Sequence, residues 1–246
     1  MKPFVNIIES STRIIQDIHL LRRLQKAGIR NFEVGNLSTK NDIINTTKFI
    51  NGEQFYDRSS NFSIHISNIS QTKFIPINTD YIIISANAYT NYNNFFKKIK
   101  DIRNHLPYNI KIRGQVLNSW TFNNHHTEII NQFVDLGVDI IDIVDILNES
   151  TPKLTDKLFK NILSQKYPIK YGIKTNDKHS IFVSIENGVK YVYSGLCSVD
   201  NMLSTNDIVY ELHKRGISTG IDLEELEDIN IYHSEKHRAN VFRNQS

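Results

Sequence analysis

The segment from Val134 to Pro152 places the strongest constraint on how this chain can fold. Its sequence, VDLGVDIIDIVDILNESTP, contains a mostly β-branched run that follows Gly137 and ends in a polar turn before Thr151-Pro152. Glycine is favoured just after a helix, and proline is favoured at a first helical position, where its missing N–H would have no partner. The order helix, glycine, buried strand, loop and helix is typical of a parallel β/α unit.

The same order recurs along the chain. Ile14–Lys26, for example, has apolar residues at helical spacing and precedes Gly28 and a strand-like run. Between the third and fourth runs, Asn68–Asn78 has room for only a short helix. Eight candidate strands that alternate with helices predict an α/β fold, a (β/α)₈ TIM barrel. The candidate strands are Phe4–Ile8, Asn31–Val34, Phe62–Ile66, Tyr81–Ser85, Ile110–Arg113, Asp139–Val144, Ile169–Lys174 and Tyr191–Ser194.

Composition favours a single domain over residues 1–246, with a polar tail from about residue 234. The hydrophobic fraction of 39% suffices for one large core. A net charge of +3 with scattered lysines argues against a nucleic-acid partner. We find neither a signal peptide nor an apolar stretch of roughly 18 residues, so no membrane partner is expected. The single cysteine, Cys197, fits a reducing compartment and predicts a cytoplasmic protein.

In a barrel of this kind, catalytic groups lie at the carboxyl ends of the strands. That rule selects a polar ring with two arginines, a lysine and several carboxylates, which suits a small anionic substrate such as a keto acid or an acyl thioester. No glycine-rich phosphate-binding motif follows the first strand, which argues against a dinucleotide-binding fold. The candidates are Arg13, Glu33, Asn36, Ser85, Arg113, Gln115, Asp145, Lys174, Asn176 and Asp177.

Four stretches, in order, resemble the superfamily that contains 3-hydroxy-3-methylglutaryl-CoA lyase and the pyruvate carboxyltransferase domains. They are LQKAGIRNFEVG, IKIRGQV, LGVDIIDIVDILNESTP and STNDIVYELHKRGISTGIDLEEL, and the resemblance spans about Val5 to Asp228. It implies a (β/α)₈ barrel and an activity that makes or breaks carbon–carbon bonds. In that superfamily a divalent metal assists the reaction.

The metal-binding motifs of the superfamily are altered in this sequence. Arg13 matches its first-strand arginine, but Ile14 stands where the metal-binding aspartate is expected. Lys174 and Asn176 replace a His-x-His pair, and the asparagine ligand has no clean match, because Asn201 is one position out of register with Met202. Isoleucine cannot bind a cation, and a lysine adds positive charge where the cation would be. We therefore predict no metal and no other cofactor.

The predicted catalytic residues are Arg13, Lys174 and Asp145, and each has a structural alternative. Lys174 could form a Schiff base with a carbonyl substrate, its pKa lowered by neighbouring arginines, or could pair with Asp145 or Asp177. Arg13 could stabilise an enolate, bind a substrate carboxylate or form a salt bridge. Asp145 could act as an acid or base or could hold a loop. Substrate-binding roles are predicted for Arg113, Glu33, Asn36, Ser85, Gln115, Asn176 and Asp177.

Two functions of different classes remain open at this stage. The first is a carbon–carbon lyase or aldolase whose positive side chains hold an anionic substrate that carries a carboxylate or thioester. The second is a non-catalytic barrel that binds a metabolite or pairs with an active homologous subunit. Either could be a homo-dimer or a hetero-oligomer with a homologue. Cys197 is interpreted as an inert thiol, and His233 and His237, although at helical spacing, lack a third zinc ligand.

Overall fold

A closed barrel of parallel strands forms the centre of the molecule. The computed structural model describes residues 4–10, 18–51, 59–87, 92–120, 125–196 and 202–232. Each strand pairs with the next one along the chain, and β8 pairs with β1 to close the barrel. The predicted (β/α)₈ fold is therefore confirmed. The strands are β1 Asn6–Glu9, β2 Asn31–Asn36, β3 Asn61–His65, β4 Tyr81–Ala86, β5 Lys111–Leu117, β6 Ile140–Val144, β7 Lys170–Lys174 and β8 Tyr191–Ser194.

Helices connect successive strands, and the expected short helix between β3 and β4 is a 3₁₀ helix, Ile69–Phe74. Another helix, α8, covers residues 223–232. Within the described ranges, no helix combines the length and apolar character needed to cross a bilayer. The polar tail predicted from about residue 234 lies outside the described residues. The other helices are α1 Ile18–Lys26, α2 Lys40–Asn51, α3 Tyr92–His105, α4 His125–Asp135, α5 Pro152–Ser164, α6 Lys178–Glu186 and α7 Thr205–Lys214.

The β/α unit from α4 to α5 forms as its sequence predicts. Gly137 has a φ of +68°, which a glycine adopts readily as it ends the helix. All five residues of β6 are buried, as expected for a strand covered on both faces. Thr151 caps α5 by accepting a hydrogen bond from the backbone N–H of Leu154, and Pro152 follows in the first turn.

The predicted end of the fifth strand is wrong, and the error matters for the site. We expected the strand to end at Arg113, but β5 continues to Leu117 because both neighbouring strands keep pairing with it. Arg113 is thus the third of the strand's seven residues and lies well before its carboxyl end. The first strand also differs from the prediction, since Phe4 lies before β1 in an isolated bridge to Ser218.

Buried apolar side chains form two clusters. The larger cluster lies between the barrel and the surrounding helices and includes Phe32, Phe133 and Phe159, all fully buried. The smaller cluster comprises Ile8, Ile140, Tyr191, Tyr193 and Met202. Tyr191 and Tyr193 are two residues apart on β8, so both side chains point to the same side of that strand. This side is the inside of the barrel.

Candidate functional site

An ion pair crosses the lumen at the carboxyl ends of the strands. Lys174, the last residue of β7, donates from Nζ to Glu33 Oε1 and to Ser10 Oγ, both at 3.1 Å. The Nε2 atom of His65 also lies 3.1 Å from Glu33 Oε1. β2 and β7 are separated by β1 and β8, so this contact joins strands that are not neighbours. The structure therefore brings together two of the predicted residues, Lys174 and Glu33, in what we call the mouth pair.

Glu33 is held in its ionised form. Burial alone would raise its pKa, but the positive charge of Lys174 and the contact with His65 outweigh burial and lower the pKa well below its ordinary value. Both contacts are made to Oε1. The other carboxylate oxygen, Oε2, is buried and has no hydrogen-bond partner among the described residues. The mouth pair therefore leaves a charged acceptor atom unused.

Ser85 and Gln115, both predicted to bind substrate, lie next to each other on β4 and β5. They are register partners, and Ser85 Oγ donates to Gln115 Oε1 at 3.0 Å. Gln115 is only 3% exposed, and its Nε2 atom has no hydrogen-bond partner within the described part of the chain. Arg113, two residues earlier, points into the lumen, so Gln115 also faces inward. A second polar group with an unused atom thus lies on the inner wall of the barrel.

Arg113 is not at the barrel mouth, where the sequence placed it. Its guanidinium is 1% exposed and binds Asp142 with both arms, Nε to Oδ2 at 2.9 Å and Nη2 to Oδ1 at 2.7 Å. The hydroxyl of Tyr193 donates to the same carboxylate at 2.7 Å. Burial disfavours the charged guanidinium, but the carboxylate outweighs this and raises the pKa of Arg113. We call Arg113, Asp142 and Tyr193 the interior plug.

The interior plug lies directly beneath the mouth pair. The ring centroid of Tyr193 is 5.2 Å from Lys174 Nζ and 5.5 Å from the central carbon of the Arg113 guanidinium. Gly172 on β7 gives the plug its space, because a Cβ atom there would lie 2.1 Å from Asp142 Oδ1. The ring of Tyr193 is therefore the floor of the mouth, and Arg113 below it is engaged by Asp142.

Other predicted residues serve local structure at the rim. Asp145 accepts hydrogen bonds from the backbone N–H groups of Glu149 and Ser150 at 3.0 and 2.8 Å. Of the two roles considered for Asp145, an acid or base and a residue that holds a loop, these contacts correspond to the second. Asp177 caps α6 in the same manner. Neither contacts Lys174 by an ion pair, since the lysine binds Glu33 instead.

The two predicted asparagines also form local contacts. Asn176 donates to Asn148 Oδ1 at 2.7 Å, and the exposed Asn36 accepts from the backbone N–H of Ser38 at 3.0 Å. Arg13 and Cys197 lie outside the described residues, as do His233 and His237. Their predicted roles stay predictions.

Several site residues were missed by the sequence analysis. His65 ends β3 and Ser10 follows β1, so the strand-end rule would have found both had it been applied to every strand. Asp142 sits inside a run of β-branched residues, and a carboxylate in such a run signals a buried cationic partner. Tyr193 gave no signal of its own, because a tyrosine in a buried strand is ordinary.

Glu9, the last residue of β1, faces away from the lumen. It is fully buried, with Oε1 accepting from the Leu196 backbone N–H at 2.8 Å and Oε2 accepting from Thr205 Oγ1 at 2.5 Å. Burial raises the pKa of Glu9 to about 7, against the opposing effect of these two hydrogen bonds. Glu9 therefore joins the end of β1 to the connection between β8 and α7.

In fold, this chain is similar to TIM barrels that include 3-hydroxy-3-methylglutaryl-CoA (HMG-CoA) lyases. The HMG-CoA lyase from Brucella melitensis aligns over 96% of this chain and 99% of its own, with a TM-score of 0.77 and 16% identity. An HMG-CoA lyase from Acinetobacter baumannii, solved with coenzyme A and 3-methylmalate, aligns over 92% and 89%, with a TM-score of 0.76 and 15% identity.

The carboxyl transferase domain of Rhizobium etli pyruvate carboxylase, solved with pyruvate, has the same fold. It aligns over 94% of this chain and 47% of its own, with a TM-score of 0.72 and 12% identity. A scan against protein-family models found no match, and a search of the curated proteins found no significant relative. At these identities the structural likeness establishes the fold, and the fold agrees with the resemblance seen in the sequence.

Proposed function

We propose that this protein is a lyase or aldolase that makes or breaks a carbon–carbon bond beside a carbonyl group. Its substrate would be a small anionic keto acid or acyl thioester bound at the barrel mouth. The observation that carries the proposal is the mouth pair, a cation and an ionised carboxylate held across the lumen at the carboxyl ends of β7 and β2. Carbonyl chemistry needs a positive group near the oxygen that becomes negative.

We further propose that the reaction proceeds without the divalent cation used in the resembled superfamily. A cation of this kind needs several oxygen or nitrogen ligands that converge on one point. At the two strand-seven positions, the ammonium of Lys174 binds Glu33, and Asn176 binds Asn148. Across the described residues, no group of three His, Cys, Asp or Glu side chains could hold a metal ion. The donor set thus fits a metal poorly.

Lys174 offers two routes to the same bond cleavage. As an ammonium it would donate a hydrogen bond to the substrate carbonyl and stabilise the enolate that forms when the bond breaks. As a neutral amine it would attack the carbonyl carbon, water would leave, and the resulting iminium would accept the electron pair of the breaking bond. The second route is the less favourable one, because Lys174 must first lose a proton and Glu33, 3.1 Å away, is a weak base with a pKa lowered well below its ordinary value.

Borohydride trapping tests the covalent route. We expect incubation with pyruvate and borohydride to leave a reduced adduct on Lys174, located by mass spectrometry of peptides. Lys174→Met should abolish the adduct, whereas Lys178→Met should retain it, because Lys178 lies on α6 and pairs with Glu211 instead. Absence of an adduct across a broad panel of keto acids would eliminate the covalent route and leave the ammonium route.

Turnover and metal content test the proposal as a whole. We expect cleavage of a 3-hydroxy acyl thioester or of a keto acid with a hydroxyl β to its ketone to persist in excess chelator. It should fall at least about 100-fold in Lys174→Met, the usual scale for losing a group that stabilises the oxyanion. Lys178→Met serves as the control. Stoichiometric Mg, Mn or Zn whose removal stops turnover would show that the metal-free proposal is wrong.

A second candidate function is a non-catalytic barrel that binds a metabolite or pairs with an active homologous subunit. This candidate is favoured by predicted site residues that already have partners within the protein. Asp145 and Asp177 accept hydrogen bonds from backbone N–H groups, and Arg113 binds Asp142 in the interior plug. Co-purification with a homologue, and light scattering for a homo-dimer, would test the pairing. The single cysteine supports a cytoplasmic location, which fractionation of cells would test.

A further inference from the structure

The connection between β3 and β4 covers the barrel less completely than its neighbours do. Its helix is a 3₁₀ helix of six residues, Ile69–Phe74, whereas the helix of the preceding connection, α2, has twelve residues. At 2.0 and 1.5 Å of rise per residue, these helices are about 12 and about 18 Å long. A groove lies between α2 and the end of the 3₁₀ helix, on the outer side of the barrel.

The groove is lined mostly by apolar side chains and has a volume of about 670 Å³. Small-molecule sites in proteins are also mostly apolar and enclose roughly 300–1,000 Å³. Ile43 and Ile75 pack against the larger buried cluster and form the floor of the groove. Ile44 and Phe74, which also line it, remain 38% and 39% exposed. The groove therefore offers a ligand of small-molecule size an apolar surface that the protein itself leaves open.

Two lysines give the groove a positive charge, one from each side. Lys48 belongs to α2, and Lys73 belongs to the 3₁₀ helix. Lys73 Nζ lies 5.0 Å from the ring centroid of Phe74, which keeps this ammonium group next to the apolar lining. Neither lysine forms an ion pair with another described residue, and no described carboxylate lines the groove.

We infer that this groove binds a small amphipathic carboxylate of the fatty-acid type. The aliphatic chain packs against Ile43, Ile44 and Phe74, and the carboxylate lies between the ammonium groups of Lys48 and Lys73. Such a ligand complements both the apolar lining and the charge of the groove, whereas a cationic amphiphile would be repelled by the two lysines. No residue of the mouth pair lines the groove, so this second site does not depend on the proposed function.

Calorimetric titration with hexanoate, octanoate and decanoate tests the inference. We expect octanoate to bind with a dissociation constant on the order of 1 mM or lower, as its small number of atoms allows. Affinity should rise with chain length by up to about fourfold for each added methylene group, because each one buries further apolar surface. If none of the three carboxylates binds, the inference is wrong.

Removing the two lysines tests the choice of a carboxylate. The double variant Lys48→Gln and Lys73→Gln should weaken octanoate binding by roughly fivefold, the scale of two partly exposed ion pairs, and leave the binding of octanol unchanged. The control is Lys153→Gln with Lys157→Gln, which removes the same charge from exposed positions of α5 and should affect neither ligand. Octanoate binding of equal strength in the groove variant and the wild type would overturn the inference.

The position of the site is tested by a third variant and by nuclear magnetic resonance. Ile44→Asp should weaken octanoate binding at least about tenfold, because it removes apolar contact and adds a negative charge. Tyr210→Asp, at an exposed position of α7, is the matched control. Amide signals of α2 and of residues 69–76 should shift on titration. Octanoate binding that is lost in Lys174→Met, with shifts at the barrel mouth, would assign the ligand to the mouth and overturn the inference.

A second copy of this chain is the competing occupant of the groove. Sedimentation at several protein concentrations would detect self-association, and circular dichroism would check that Ile44→Asp remains folded. Self-association that Ile44→Asp abolishes, in a protein that binds no octanoate, would assign the groove to a contact between copies and overturn the inference. Binding is measured without turnover, so failure of the proposed lyase activity would leave the result for this groove unaffected.

Discussion

The interior plug and the mouth pair each hold an ion pair in the same lumen, fully buried in the plug and partly exposed in the mouth pair, and they are built differently. In the plug, Asp142 receives two hydrogen bonds from Arg113 and one from Tyr193, so both carboxylate oxygens are used. In the mouth pair, Lys174 and His65 share one oxygen of Glu33 and leave the other without a partner in the described structure.

The choice of cation explains the difference. The planar guanidinium of arginine matches a carboxylate with two parallel hydrogen bonds, whereas a lysine ammonium acts as a point charge. A carboxylate whose two oxygens both accept hydrogen bonds from a guanidinium has no unused oxygen for a ligand. A carboxylate bound at one oxygen keeps the other as an acceptor. The plug therefore has no unused carboxylate oxygen, whereas the mouth pair keeps one.

The largest effect should come from breaking the plug. We expect Asp142→Asn to lower the free energy of unfolding by about 3–5 kcal/mol, because it leaves the guanidinium of Arg113 buried without a counter-charge. Urea unfolding monitored by circular dichroism measures this. Lys174→Met should have a smaller effect, since that side chain is 24% exposed. Equal losses in the two variants would remove the distinction between plug and mouth.

Glu9 extends the comparison to a buried carboxylate that has hydrogen bonds but no cation. Its pKa in the folded protein is about 7 against an ordinary value of 4.5, so between these values the folded state keeps a proton that the unfolded state releases. The free energy of unfolding should therefore fall as pH rises through this window, by roughly 3 kcal/mol, and level off above it.

Urea unfolding at a series of pH values should show this decline in the wild type and a flatter profile in Glu9→Gln. The pH dependence that Glu33 contributes to the free energy of unfolding has the opposite sign. Because its pKa is lowered on folding, its contribution is present above the ordinary pKa of glutamate and is lost as the pH falls below that value. If the free energy of unfolding of Glu9→Gln falls with rising pH as much as that of the wild type, Glu9 is not the cause of the decline.

A smaller effect should follow from filling the space that the plug needs. Gly172→Ala would place a Cβ atom 2.1 Å from Asp142 Oδ1 and 3.2 Å from the Cβ atom of Tyr191, so the plug must shift. We expect a loss of roughly 1–3 kcal/mol, the range for overpacking a core. Ligand affinity at the mouth should change less than stability does. An unchanged unfolding midpoint would mean that the plug is not tightly held.

The smallest effect concerns a residue of the rim. Asp177→Ala should cost about 1 kcal/mol, because the carboxylate caps α6 by accepting from the backbone N–H groups of His179 and Ser180. Asp177→Asn is the matched control, since asparagine is an equally good cap. If ligand affinity collapses in Asp177→Asn while stability is kept, Asp177 contacts the ligand, as the sequence analysis predicted.

Local pattern in the sequence was enough to predict the barrel. The alternation of apolar helix faces, stop glycines and β-branched runs repeats along the chain, and such periodicity depends only on neighbouring residues. The strand-end rule then selected Glu33, Ser85, Gln115 and Lys174, because parallel strands of a barrel all end on one face. These four residues do lie on the inner walls of the mouth.

Only the tertiary structure decided which of the selected side chains meet. Lys174 pairs with Glu33, 141 positions away in the sequence, because two strands separated by β8 and β1 face each other across a closed lumen. We predicted that Arg113 lies at the mouth because the sequence indicated that the fifth strand ends there. In the structure β5 pairs with both neighbours beyond Arg113, so this residue lies in the interior. Closure and register are properties of the whole barrel, so no local pattern contains them.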